Sequence, residues 1–548
     1  MSKDVAELSF YLIILLFLKH STRRLMPTRT SADLRHKAIK SALSRFIYKR
    51  QQVPMSISTI PFRKTKSYSP LVAVLLLAMI QTSCRNNAVN PPEPYGACPT
   101  EQQVEWQRME MNMFCHFGPN TFTDKEWGDG TEAESLFNPS ALDCRQWVDV
   151  ALNAGMKGII LTAKHHDGFC LWPSSQSSHT VALSPWRDGQ SDILKELQDA
   201  CTGKIKMGVY ISPWDRNHPA YGTDAYNTVF ASTLYEVHRN YGPLFEQWFD
   251  GANGEGPKGK RQDYDWQLFN STVLTINPQA VIFSDVGPGC RWVGNEDGSA
   301  GETCWSTLNT DGYTPGAGSP GTDRLNEGDK RGIYWIPAET DVSIRKGWFW
   351  HAEEHPKSVE ELLDIYYKSV GRNSLLLLNV PPDERGLIPA EDSLRLTELR
   401  KVLDNIFGND LAKDAKVSAS NVRGGKHNRT FSADNVIDTN YNSYWSVDDS
   451  VTSPTLTLKF KHSTTFNRIL LQEYIPLGQR VAAFHVEYLN DDGKWETLTQ
   501  ATTIGYKRIL LVPKTTTRGL KIVIDEALAC PTINRVGLFI DHLSTTEN

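Results

Sequence analysis

The run LFEQWFDGANGEG (Leu244–Gly256) carries large apolar residues up to Phe249, then an acid, Asp250, and then a spread of glycines. Upstream, the apolar run GIILTA (158–163) leads into KHHDGFCLW (164–172), which sets His165 and His166 side by side at its end. An acid delivered to the mouth of a strand is placed for chemistry rather than packing, and the glycines around it are expected to leave room above it. Two strand ends that both present polar side chains predict one shared pocket at the carboxyl face of a β/α barrel.

Working outward, apolar strand-like runs alternate with helix-like segments from about residue 100 to about 410. MNMFCHFG, MKGIILTAKHH, KIKMGVYIS, LFEQWFDG, AVIFSDVG, RGIYWIPAE and NSLLLLNVPP read as strands, and DCRQWVDVALNAG and QSDILKELQDACTG as amphipathic helices between them. Strand alternating with helix predicts a parallel sheet with helices outside, and this many units favours a closed (β/α)8-like TIM barrel over residues 95–412. Residues 287–330, rich in Gly, Asn, Asp, Thr and Pro, are expected to form one elaborated loop on the active face. Near Lys413 the pattern changes to short alternating strands (TLTLKF, RILLQEY, AFHVEYL, RILLVP, GLKIVI, VGLFID), which predicts a separate all-β sandwich of jelly-roll type over 413–548.

The chain has 548 residues, 40% hydrophobic and 22% charged, so it is globular and long enough for more than one domain. A net charge of −5 without a basic stripe or zinc-spaced cysteines excludes nucleic acid as an expected partner. Many of the 15 tryptophans and 19 tyrosines sit near expected strand ends, where aromatic rings suit the apolar faces of sugars, although most are expected to be ordinary core and surface aromatics.

Two N-terminal segments stand apart from the fold. Residues 1–54 hold a short apolar stretch and a long basic segment, and read as a mis-assigned extension. From Met55 there follow a basic region (Arg63, Lys64, Lys66), the apolar core LVAVLLLAMI and QTSC ending at Cys84. The pattern over 55–84 resembles a bacterial lipoprotein signal with Cys84 as the lipidated residue, and ordinary signal-peptidase cleavage is the alternative, since Gln81 fits the lipoprotein pattern imperfectly. It predicts an exported protein, periplasmic or lipid-anchored at the outer membrane of a Gram-negative bacterium. Of the eight remaining cysteines, Cys115 and Cys170 lie in apolar runs and are expected to be buried thiols rather than bridges.

FCHFGPNTF, Glu126–Trp127, AKHHDGFCLW, SPWRDGQSDIL, GVYISPWD, EQWFDG, RWVGNE and LLLLNVPPDERG follow one another in the order found in α-L-fucosidases of glycoside hydrolase family 29, which this chain resembles over about residues 100–410. RWVGNE, ending at Glu296, is similar to the subfamily that prefers α-1,3- and α-1,4-linked fucose in branched, Lewis-type glycans. SADNVIDTNYNSYWSVDD (432–449) resembles a discoidin or factor 5/8 type C domain, the fold of family 32 carbohydrate-binding modules.

A retaining glycosidase needs one carboxylate to attack the anomeric carbon and a protonated carboxyl to hand a proton to the leaving oxygen. Asp250 fits the nucleophile. The resemblance implies Glu296 as acid/base, with Glu302 in AGETCW as the competitor. The resemblance also implies that His116, Glu126, Trp127, His165, His166 and Tyr210 hold the sugar ring. Trp350 in KGWFWH is the aromatic expected to meet the methyl group of fucose, or else to pack the barrel against a helix. Zinc is the rival reading of the histidines. Adjacent residues of an extended strand point to opposite faces, which argues against it, so no metal or cofactor is expected. HAEEH (351–355) lacks the glutamate after its first histidine that a metalloprotease needs. The other functions considered are a non-catalytic carbohydrate-binding or adhesion protein and a glycosidase for a related sugar such as L-galactose.

Overall fold

The computed structural model describes residues 89–316 and 320–542; the expected export segment 55–84 with Cys84, and the extension 1–54, lie outside the described residues. Eight parallel strands close a barrel. Around it run β1 (Met111–Cys115), β2 (Gly158–Lys164), β3 (Lys206–Ile211), β4 (Glu246–Trp248), β5 (Val281–Ser284) and β6 (Cys290–Trp292). An excursion then carries the two-residue strands β7 (Thr307–Leu308) and β8 (Tyr334–Trp335), after which β9 (Ala338–Ser343) and β10 (Ser374–Asn379) complete the ring, β10 pairing with β1.

The helices start where the sequence offers caps. Asp143 accepts from the Arg145 N–H at 2.9 Å at the head of α1 (Cys144–Asn153), and Asp192 from Lys195 at 2.9 Å at the head of α2 (Ile193–Cys201). The ring continues with α3 (Asp224–Tyr241), α4 (Trp266–Ile276), α5 (Val359–Lys368), which opens on a Ser358/Glu361 capping box, and α6 (Ala390–Phe407). Outward strand residues such as Met113, Ile159, Leu161, Val209 and Val342 pack on Trp147, Leu197, Leu234, Phe269 and Leu362 of this ring. Each such complete burial contributes about 1.5–3 kcal/mol.

Two strand expectations are corrected. Residues 290–292, expected inside the 287–330 loop, form barrel strand β6; three residues are too few to show a period, and fully buried Arg291 hides the apolar signal. RGIYWIPAE, expected as one strand, breaks at Pro337, which has no N–H to give a ladder. Tyr334–Trp335 pairs instead with β7, and the barrel strand runs on through the polar AETDVS.

Beyond the barrel, β11 (Lys416–Ala419), β12 (Trp445–Ser446), β13 (Thr455–Glu473), β14 (Val481–Leu489), β15 (Trp495–Thr502), β16 (Arg508–Ala527) and β17 (Thr532–Phe539) form an antiparallel all-β domain. Register shifts interrupt the long β13–β16 pairing, and one core of Trp445, Leu458, Phe466, Val486, Ile522 and Val536 fills the domain. The domain docks at the N-terminal ends of the barrel strands. Lys507 Nζ meets Glu110 Oε1 at 2.5 Å just before β1, and the Tyr506 N–H donates to Asn373 Oδ1 at 2.7 Å just before β10. Leu470, Ile509 and Phe539 join the core of the barrel itself. All eight cysteines among the described residues are free thiols, with Cys115 and Cys170 buried.

Candidate active site

The polar residues at the opposite, C-terminal ends of the strands line one cavity of about 420 Å³: His116 after β1, His165 and His166 after β2, Tyr210 in β3, Asp250 after β4 and Glu296 after β6, with Glu126 and Trp127. Phe114, Trp248, Ala252, Asp341 and Trp348 complete its wall, none of them singled out by the sequence. Trp350 does not line it. Residues 344–350 form a bent segment rather than a strand, so its hydrogen bonds select which ring enters. Glu126 takes the Trp348 N–H at 2.9 Å and the Phe349 N–H at 3.3 Å, while Asn379 Nδ2 donates to Trp348 O at 2.8 Å. The Trp348 ring then lies 5.1 Å from that of His116.

His165 and His166 both face the cavity, their ring centroids 4.1 Å apart. The opposite-faces expectation does not hold, because β2 ends at Lys164 and alternation ends with it. Lys164 turns away into a buried ion pair with Asp215 at 2.9 Å, which pins the strand end to the loop carrying Trp214. Among the described residues, the trio of metal-type ligand atoms drawn within 4.8 Å of one another belongs to Glu246, Cys290 and Glu339 in the barrel floor, and the pocket imidazoles form no such trio.

The glycines after Asp250 serve close packing. A Cβ at Gly251 would lie 2.6 Å from both carboxylate oxygens of Asp285, and one at Gly254 would enter the Trp214 ring. They therefore do not open space above Asp250. The Asp250 carboxylate is held by the Tyr210 hydroxyl at 2.9 Å and the Ala252 N–H at 2.7 Å.

Hydrogen bonds behind the imidazoles decide what each offers to the cavity. Ser343 Oγ donates to Gly347 O at 2.6 Å and so accepts from Asn379 Nδ2 at 2.9 Å. Asn379 Oδ1 is then left to accept His116 Nδ1–H at 2.8 Å, and His116 presents an unprotonated Nε2. Ser212 Oγ donates to Trp214 O at 2.8 Å and accepts His166 Nδ1–H at 2.8 Å, so His166 Nε2 is also an acceptor. At His165 the relation reverses. Asn120 Nδ2 donates to Nδ1 at 3.4 Å, and Nε2 carries the proton.

Burial keeps all three rings neutral. It lowers His116 to about 3 and His166 to about 4, the latter against the pull of Asp250, and drives His165 well below its ordinary value. The 3.7 Å contact from His166 Nε2 to Asp250 Oδ2 is therefore not an ion pair. His351 contrasts with them. Burial would lower it, but hydrogen bonds to Asp124 at 2.5 Å and Glu126 at 2.6 Å outweigh that and raise it.

The acids divide in the same way. Glu296, at the rim with Trp348 Nε1 donating to it at 3.3 Å, is raised above the usual carboxylate range by partial burial, with the charge of Asp250 adding. Asp341 is buried in the wall and raised much further, by burial and then by Glu296, and its Oδ1 has no partner. Glu302 stands outside the cavity, paired with Arg372 and Arg508. A pocket of fixed donors and acceptors, with aromatic walls and with Asp250 and Glu296 among its carboxyls, can bind a sugar and cleave its glycosidic bond.

Residues 94–406 match the alpha-L-fucosidase family model and residues 416–534 the F5/8 type C domain model. The chain belongs to the alpha-L-fucosidase family. It is a glycoside hydrolase of that activity, with an F5/8 type C domain behind its barrel. The Arabidopsis thaliana alpha-L-fucosidase 1 is 44% identical over 474 residues, 86% of this chain and 93% of that protein. Among solved structures, a Ruminococcus gnavus family 29 fucosidase in complex with fucose is 34% identical with a TM-score of 0.75, covering 83% of this chain and 98% of that one. A family 29 member from an unknown rumen bacterium is 40% identical with a TM-score of 0.72, covering 83% and 79%.

Proposed function

We propose that this fucosidase works with retention of configuration, Asp250 attacking the anomeric carbon and Glu296 acting as acid and then base. The carrying observation is that Asp250 and Glu296 line one cavity and that partial burial raises the Glu296 carboxyl above the usual carboxylate range, which suits it to donate a proton. In the first step the Asp250–carbon bond forms as the bond to the leaving oxygen breaks, and the proton of Glu296 goes to that oxygen. In the second, Glu296 takes a proton from water, which displaces Asp250. The acceptors at His116 and His166 and the donor at His165 orient the ring hydroxyls of a fucose, the sugar bound in the Ruminococcus gnavus structure. Trp348, Trp248 and Phe114 supply the apolar surface for its methyl group.

The substrates proposed are fucosylated glycans, with α-1,3/1,4 linkage of Lewis type as the preference, resting on RWVGNE. Export through 55–84 with a lipid on Cys84 is part of the same proposal and is read from the mass of the mature N-terminus. The site assignment is tested with two variants. Asp250→Asn should abolish turnover in a folded protein. Glu296→Ala should lower kcat/KM about 10²-fold or more for fucosides with poor leaving groups while sparing kcat/KM for activated aryl fucosides, whose lost kcat azide should restore in part. An active Asn variant, or equal losses on both substrates in the Ala variant, refutes the assignment.

A further inference from the structure

We infer that the C-terminal domain positions the loop bearing Glu296, through a clamp centred on Glu302. The inference rests on the reading of Glu296 as acid/base. After β6 the chain turns at Asn295, whose Oδ1 accepts the Asp297 N–H at 3.1 Å and whose Nδ2 donates to Ser299 O at 2.8 Å, so Glu296 sits on a closed turn. From there the loop descends along the barrel wall. The Ala300 N–H donates to Lys368 O at 2.9 Å, and Arg372 Nη1 donates to Ala300 O at 2.9 Å. The other arm of Arg372 meets the Glu302 carboxylate, which lies between it and Arg508 of the C-terminal domain.

At Glu302 the loop passes into the grip of that domain. Arg508 donates to Glu302 O at 2.6 Å and to Glu302 Oε2 at 2.9 Å, and Thr502 Oγ1 donates to Glu302 O at 3.1 Å. The Cys304 N–H donates to Thr503 Oγ1 at 3.0 Å and the Ser306 N–H to Gln479 Oε1 at 2.7 Å. Thr503 has φ 24°, a backbone state that a β-branched residue rarely adopts. The Arg508 side chain is only 5% exposed, and its two acceptors are both on Glu302, so removing the Glu302 carboxylate leaves a buried guanidinium charge unpaired at the seam. The tethers Arg508, Glu302, Arg372 and Ala300 thus form a continuous line from the C-terminal domain to the turn that holds Glu296. The acidic residue that competes with Glu296 in the sequence is the anchor of its loop. The domain, although it docks at the far end of the barrel, then acts on the chemistry through Glu296, and proton transfer to the leaving group is where that shows.

A general acid must lie within hydrogen-bond reach of the oxygen it protonates, and a small misplacement is costly only where the proton is needed. In the full-length chain, Glu302→Gln and Arg508→Ala should therefore keep kcat/KM on an activated dinitrophenyl fucoside, whose departure needs no proton, while losing roughly tenfold or more in kcat/KM on an alkyl fucoside. Arg508→Lys, which keeps the charge, should recover part of that loss. In a Glu296→Ala background, Arg508→Ala should add no leaving-group-dependent loss. Equal losses on both substrates, or no selective loss in either variant, overturns the clamp. Should Arg508→Ala not fold, the near-isosteric Glu302→Gln carries the test. If Glu296→Ala alone shows no leaving-group selectivity, it is the acid/base reading that falls; if it does and the clamp variants do not, only the clamp falls.

Discussion

Replacing Glu339 by glutamine should change how stability depends on pH. In the barrel floor Trp106 Nε1 donates to Glu246 Oε2 at 2.7 Å and Trp248 Nε1 to Glu339 Oε1 at 2.9 Å. Glu339 Oε2 has no donor, both acids are fully buried, and one oxygen of each lies within 4.8 Å of the other and of Cys290 Sγ. Two carboxylates so placed cannot both be ionised, and a proton held by the pair is the consistent state. Burial pushes Glu246 up to about 7 and Glu339 well above its ordinary value, the charge of Glu246 adding to the effect on Glu339. The native state then binds more protons than the unfolded chain once the pH exceeds about 4.5, so stability falls as pH rises towards 7. Lifting one carboxyl from 4.5 to about 7 corresponds to about 3 kcal/mol over that window. Neutral buried imidazoles slope the other way, and the difference between wild type and variant cancels them. In Glu339→Gln the amide oxygen can keep the Trp248 bond and the amide N–H can replace the shared proton. Melting temperature followed from pH 4.5 to 8 should therefore fall more steeply in wild type than in the variant, by roughly 5 °C over the range. Parallel curves would refute the shared proton.

Asn379→Asp sets a carboxylate against His116 Nδ1 and should raise that imidazole from about 3 by roughly 1–3 pH units, turning its Nε2 from acceptor to donor. Activity should then fall as pH drops through the new value, and an unchanged acid limb of the kcat/KM profile would disprove the relay behind His116. Asp341→Asn should leave the basic limb attributed to Glu296 where it is, because a protonated Asp341 carries no charge to remove; a downward move of that limb would show Asp341 to be ionised.

What could be read from the sequence was what the strand ends announce. WFDG, KHH and GNE named residues that the fold gathers in one cavity, since polar side chains beside apolar runs stand out whatever the register. The barrel and the all-β domain behind it were legible from the change of period near Lys413. The assignment of rings in KGWFWH was not, because a bent loop has no period, and Trp348 was chosen by Glu126 and Asn379, which are distant in sequence.

Strand β9 shows a different kind of concealment. In AETDVS the residues with an apolar or small face, Ala338, Thr340 and Val342, alternate with Glu339, Asp341 and Ser343. A search for strands expects the apolar set to mark the core and the polar set to mark solvent. In a β/α barrel the outer face of a strand lies under helices, and Val342 packs there. The inner face here is polar because it serves the site: Ser343 orders Asn379, Asp341 lines the cavity, and Glu339 anchors the Trp248 ring, which stacks 5.2 Å from Tyr210, the donor to Asp250. The period of two was present in the sequence. Its meaning was inverted, and a buried strand with two acids and a hydroxyl on one face is itself a mark of where the chemistry is held.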